Sequence, residues 1–77
     1  MEQKVKQDVC IGANIRQIRK ARGMKQVELV REVQLLGVEM TRETLVKIER
    51  GVQHIRTSQL TAIKKVLDTD YDSLIEG

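Results

Sequence analysis

Residues 40–51 form the segment MTRETLVKIERG, which combines acidic, basic and small apolar side chains at helical spacing. With about 100° between successive residues, Leu45 and Ile48 define one side of such a helix. The other side carries Arg42, Glu43, Val46, Lys47 and Arg50. Arginine and lysine can donate to guanine, glutamate can accept from cytosine, and small apolar groups can contact the thymine methyl. This side therefore suits contact with base edges; the alternative is an ordinary solvated surface.

The same segment also carries helix boundaries, since Thr41 is a favoured N-cap residue and Gly51 a favoured C-terminal stop. It predicts a helix over about 41–50. Apolar spacing, caps and glycines predict four more helices: 11–22, 26–36, 58–67 behind a Thr57 or Ser58 cap, and a short one from Asp70. The residues predicted to face the core are Ile11, Ile15, Ile18, Leu29, Val30, Val33, Leu36, Leu45, Ile48, Leu60, Ile63, Val66, Leu67, Leu74 and Ile75.

Composition predicts one small all-α domain. The chain has 77 residues, of which 40% are hydrophobic, with a single aromatic residue, Tyr71, and no proline. This is enough for one aliphatic core, and helix formers dominate. Residues 1–9 lack a clear period, so we expect a loose tail or arm, with a strand or an extra helical turn as alternatives. Residues 10–77 would form the domain.

Several classes of protein are disfavoured by residue content. One cysteine, Cys10, cannot form an internal disulfide, and we expect it to be a small core residue. No apolar run is long enough to span a membrane. One histidine, His54, and no glycine-rich phosphate loop argue against an enzyme, a metal site or a cofactor. We therefore expect a soluble, cytoplasmic protein with no evident small-molecule ligand.

Charge is distributed unevenly along the chain. Residues 1–56 hold 12 Lys and Arg against 7 Asp and Glu, whereas residues 57–77 hold 2 against 4. A basic body with an acidic end is compatible with a polyanionic partner but does not require one.

Three segments together resemble a known family. IGANIRQIRKARGMKQVELV, TRETLVKIERG and LTAIKKVLDTDYDSLI are similar to the helix-turn-helix DNA-binding domain of the lambda repressor and Cro type, the XRE family. The resemblance covers about residues 11–75. It implies a compact five-helix domain in which the second helix lies across the DNA backbone and the third enters the major groove.

The resemblance also implies roles for individual residues. Arg42, Glu43 and Lys47 match base-contacting positions, and Val46 is a plausible fourth. Gln26 matches a glutamine that contacts phosphate and supports the recognition helix. The other expected backbone contacts are Thr44, Arg50, Gln53, His54 and Arg56.

The sequence departs from the family pattern at several positions. Lys25 stands where the family usually has Ser or Thr, so the second helix has a weak cap. Val30 stands where alanine is usual, and Val46 replaces a common serine. The turn QLLGVEM is a few residues longer than the commonest one and resembles a longer-turn branch of the family. Because of this longer turn, the sequence does not determine how the third helix approaches DNA.

Glu49 lies about 40° from the Leu45 side of its helix, so we expect a partly buried carboxylate that needs a partner. Arg19 and Arg22 both flank the apolar stripe of the first helix, and periodicity cannot choose between them. The family resemblance implies Arg19.

Taken together, these features predict a sequence-specific DNA-binding regulator, a small repressor of phage or mobile-element type, associated with the nucleoid. Its expected partners are double-stranded DNA, with a palindromic operator, and a second copy of itself. Tyr71, Leu74 and Ile75, or the segment around Val5 and Val9, are the expected dimer surfaces. The alternative is a protein-interaction module or antitoxin that uses the same fold.

Overall fold

The computed structural model describes the backbone of residues 4–77 and the side chains of residues 11–77. This part of the chain contains five helices and no strand. The helices are α1 Lys4–Ala21, α2 Gln26–Leu35, α3 Arg42–Glu49, α4 Thr57–Leu67 and α5 Tyr71–Glu76. The prediction of an all-α chain with five helices is confirmed.

Helix α1 begins earlier than the sequence predicted. A start near residue 11 after a loose tail was expected, but the helix already includes Lys4. Once a helix exists, each added residue gains a backbone hydrogen bond, and no glycine or proline interrupts residues 4–11. The side chains of Val5, Val9 and Cys10 lie outside the described residues, and the division into an arm and a domain stays a prediction.

The core is aliphatic and is shared by all five helices. Helix α1 contacts α3, α4 and α5, while α2 contacts α3 and α4. The most completely buried side chains are Ile15, Leu29, Val33, Leu45, Ile48, Ile63, Leu67 and Leu74. Half-buried residues at the edge of this cluster include Ile18, Leu60, Val66 and Ile75. The apolar periods therefore identified the inner sides of the helices.

Leu36 is an exception, because its side chain is 51% exposed rather than buried. Helix α2 ends at Leu35, and Leu36 is the C-cap residue, with φ −83° and ψ 3°. A residue past the last helical turn no longer follows the 3.6-residue period. Leu35, the preceding residue, is 73% exposed.

The long turn between α2 and α3 is held by hydrogen bonds at both ends. Gly37 has φ 87°, a conformation that favours glycine, and its N–H donates to the Gln34 carbonyl at 2.9 Å. The Gln34 side-chain amide donates to the Met40 carbonyl at 2.7 Å. The Gln59 amide, from α4, donates to the Glu39 carbonyl at 3.3 Å. These bonds fix where α3 starts.

The two C-terminal helices differ in their caps. The N-cap of α4 is Arg56, not the predicted Thr57 or Ser58, and the Arg56 N–H donates to Gln59 Oε1 at 3.0 Å. The helix starts earlier because the Gln59 side chain accepts from the N-cap residue, just before Thr57. In α5, Asp70 Oδ1 accepts from the Ser73 N–H at 2.8 Å. This bond holds the pKa of Asp70 below its ordinary value of 3.8.

Candidate nucleic-acid interface

Helix α3 is short but has a complete N-cap. Thr41 Oγ1 accepts from the Thr44 N–H at 3.1 Å, which confirms the predicted cap. Glu43 lies in the first turn and Lys47 in the last, so both charges match the helix dipole. Local chemistry alone therefore favours this helix.

The outer side of α3 is exposed and chemically available. Arg42, Glu43, Lys47 and Arg50 are all exposed. Within the described residues, none of their side chains forms a hydrogen bond or an ion pair. Val46 is half-buried rather than exposed, since it is only three residues from the buried Glu49. The outer side thus presents donors and an acceptor that no neighbour occupies.

The inner side of α3 lies directly against α1 at Gly12. A Cβ atom at Gly12 would lie 1.9 Å from the Ile48 carbonyl oxygen and 3.2 Å from the Glu49 Cα. Only glycine permits the two backbones to approach this closely. Sequence analysis missed this residue, although a glycine inside a helical pattern is a recognisable signal of close packing.

Arg19 of α1 and Glu49 of α3 form a buried, bidentate ion pair near the Gly12 contact. Arg19 Nε donates to Glu49 Oε2 at 2.8 Å, and Nη2 donates to Oε1 at 3.1 Å. Each residue is only 6% exposed. Arg22, the other candidate, donates instead to the Asp68 carbonyl at 2.9 Å. Arg19 Nη1 also donates to the Met24 carbonyl at 2.8 Å, which ties the α1–α2 turn to α3.

Gln26, the first residue of α2, joins this pair. Its Nε2 donates to Glu49 Oε1 at 3.1 Å. A side-chain amide has two N–H donors, so one remains for an external acceptor. Gln26 therefore links the start of α2 to the end of α3, and it is half-buried beside the outer surface.

Two open concavities flank the outer side of α3. Arg42 and Thr44 are two residues apart, about 200° around the axis, so they lie on opposite flanks. One concavity, about 480 Å³, is lined by Arg16, Arg19, Lys25, Gln26, Val27 and Arg42. The other, about 630 Å³, includes Thr41, Thr44, Gln53, Arg56 and Gln59, with Glu39 and the long turn. A helix in the major groove lies between two phosphate strands, and this arrangement offers polar groups to both.

A helix-turn-helix family model matches residues 15–74, most of the chain. The chain belongs to the lambda repressor-like (XRE) helix-turn-helix family. Members of this family bind DNA and are typically not enzymes. No curated protein and no solved structure matches the chain significantly.

In this helix-turn-helix domain, the residues predicted to contact phosphate lie on both flanks of α3. Gln26 lies on the Arg42 flank, whereas Thr44, Gln53 and Arg56 line the other. Arg50 and His54 are exposed but line neither concavity. The structure adds Arg16 and Lys25 to the Arg42 flank; both are exposed cations that sequence analysis did not select.

Among the described residues, no group of three or more His, Cys, Asp or Glu side chains could hold a metal ion. None of the described helices is long and apolar enough to cross a membrane.

Proposed function

We propose that this helix-turn-helix protein is a sequence-specific transcriptional repressor, of the kind found in phages and mobile elements, which contacts the major groove with residues 41–50. The observation that supports this most is the outer side of α3, whose charged groups have no side-chain partner among the described residues and lie between two concavities lined in part by polar side chains. Arg42, Glu43 and Lys47, with Val46, would contact bases.

Phosphate contacts would come from both flanks of α3. Gln26, with Arg16 and Lys25, would contact one strand, while Thr44, Gln53 and Arg56 would contact the other. Arg50 and His54 are exposed and would add contacts at the end of the helix and in the following loop. Such contacts fix orientation and carry no sequence information themselves.

Glu43 supports base contact over general affinity for DNA. A carboxylate facing an anionic duplex is unfavourable unless it accepts a specific hydrogen bond, for example from the cytosine amino group. A surface selected only for attraction to phosphate would not place Glu43 between Arg42 and Lys47.

The site would be a palindrome bound by two copies. One domain of this size buries little surface on DNA, and family members commonly bind half-sites one helical turn apart as two-fold dimers. A dimer bound over a promoter would exclude polymerase, which makes repression the expected direction of regulation.

The test is selection of bound duplexes from a random pool, followed by affinity measurements at several salt concentrations. We expect enrichment of one palindrome and a steep fall of affinity with salt, as phosphate counterions are released. Glu43→Gln should weaken binding to the selected site and broaden base tolerance at one position. If no sequence is enriched and salt has little effect, the protein-interaction or antitoxin hypothesis takes precedence.

A further inference from the structure

The C-terminal dimer surface suggested by the sequence offers little apolar area. Leu74 is fully buried within the chain, so it cannot meet a second copy. Tyr71 is 40% exposed, but its hydroxyl is 3.1 Å from the Thr61 hydroxyl and Lys64 Nζ lies 5.2 Å from its ring centre. Val5 and Val9 have side chains outside the described residues.

A more apolar surface lies at the end of α2. Leu35 and Leu36 are 73% and 51% exposed. They line a shallow groove of about 370 Å³ together with Met24, Glu32, Lys65 and Val66. Single exposed leucines are common, but two adjacent ones continuous with further apolar side chains are typical of interaction surfaces. We call these six residues the α2–α4 patch.

The α2–α4 patch lies away from the proposed phosphate contact of α2. Gln26 and Leu35 are the first and last residues of this ten-residue helix. With a rise of 1.5 Å per residue, they are separated by roughly 13 Å along the axis. A partner on the patch would therefore leave Gln26 available to DNA.

The patch carries one acidic and one basic residue, so two copies of it can pair opposite charges. Glu32 and Lys65 both line the groove, and within the described residues neither forms an ion pair or a side-chain hydrogen bond. In a two-fold contact, if one residue of the first copy meets another residue of the second copy, the reciprocal pair forms as well. Glu32 of one copy can then meet Lys65 of the second, and the reverse pair forms at the same time.

We propose that the α2–α4 patch is where a second copy of this chain docks, with Leu35 and Leu36 at the centre and two Glu32–Lys65 pairs at the rim. This deepens the proposed dimer, but it is tested without DNA, so its failure is distinguishable from failure to bind an operator. A patch this small is below the roughly 800 Å² per partner of a stable interface, so the free dimer should be weak. Binding both copies to one duplex would strengthen it by effective concentration.

The first experiment is sedimentation equilibrium of the full chain without DNA, up to about millimolar protein. We expect reversible dimerisation with a dissociation constant of roughly 10 µM to 1 mM. Leu35→Ser with Leu36→Ser should weaken it by about tenfold or more. Val27→Ser is the matched control, because Val27 is 52% exposed on the same helix but outside the patch, and it should leave the constant unchanged. Circular dichroism verifies that each variant folds.

The second experiment tests the orientation of the two copies. Glu32→Lys and Lys65→Glu should each weaken dimerisation, and the chain carrying both changes should recover it. A chain that stays monomeric at millimolar concentration overturns the proposal, and the patch would then suit a different protein. A dimer unaffected by the leucine changes also overturns it, and failure of the double charge exchange to recover dimerisation rules out the proposed Glu32–Lys65 pairs.

Discussion

The two sides of α3 are built by different means. The inner side is fixed by contacts with α1 and α2: the Gly12 backbone lies against Ile48, and Glu49 accepts from Arg19 and Gln26. The outer side carries Arg42, Glu43 and Lys47, for which the described residues supply no side-chain partner. The inner side thus determines where the helix lies, and the outer side is left available to a ligand.

This difference predicts that inner-side changes lower stability, while outer-side changes lower affinity for DNA at unchanged stability. A buried charge whose partner is removed remains desolvated, whereas an exposed charge keeps its water. Three substitutions test this division, and a fourth tests the cap of α5.

Arg19→Met should have the largest effect, because among the described residues it leaves the buried Glu49 with only Gln26 as a side-chain donor. Breaking a buried pair costs about 3–5 kcal/mol, measurable by thermal or urea unfolding. The double change with Glu49→Leu should recover part of this loss. Arg22→Met is the control: Arg22 is exposed and makes one side-chain bond, so the cost should be at most about 1 kcal/mol. Equal melting of Arg19→Met and the parent would show that the pair is dispensable.

Gly12→Ala should also destabilise the fold, because the new Cβ meets the Ile48 carbonyl oxygen and no side-chain rotation relieves the overlap. We expect a loss at the upper end of the roughly 1–3 kcal/mol typical of overpacking. Ala13→Leu adds more atoms at the next, exposed position and should change the free energy of unfolding by less than about 0.5 kcal/mol. Similar urea midpoints for both variants would contradict the close helix contact.

Arg42→Ala should reduce DNA affinity and leave unfolding unchanged. If Arg42 contacts guanine, the cost is about 1–3 kcal/mol on the selected operator and less on a scrambled duplex at the same salt concentration. Arg31→Ala, an exposed change on α2 that lines neither concavity, should affect neither duplex strongly. Equal losses on both duplexes would mean that Arg42 contacts phosphate rather than bases.

Asp70→Asn should have the smallest effect, a slight loss of stability near neutral pH that fades as the solution is acidified. Because the Ser73 N–H lowers the pKa of Asp70 below 3.8, its stabilising contribution is present above that value and is lost as pH falls through the folded-state pKa. Asparagine also caps a helix but carries no charge. Melting curves from about pH 5 to about pH 2 should therefore depend less on pH in the variant. Parallel pH dependences of the two proteins would be evidence against this coupling.

Most local features of the fold could be predicted from the sequence because they depend on neighbouring residues. Thr41 was predicted as a cap, and the structure shows it accepting from the N–H three residues later. Asp70, predicted as the start of the last helix, is the N-cap residue just before it. The start of α1 was less predictable, since residues 4–10 have no apolar period and helix propagation needs none. Leu36 was misassigned because the period was extended one residue past the end of α2.

Five amphipathic helices, the inner and outer sides of α3 and membership of a DNA-binding family could all be inferred from the sequence alone. Apolar periodicity and helix caps depend on residues that are close in sequence, so they can be recognised without a structure. The tertiary structure shows that Glu49 pairs with Arg19, 30 residues away, where helical periodicity had left Arg22 equally possible and the family resemblance implied Arg19. It also decided that Gly12 lies against Ile48 and that Gln34 and Gln59 hold the long turn. These contacts join distant residues, and their geometry is set by how the helices pack.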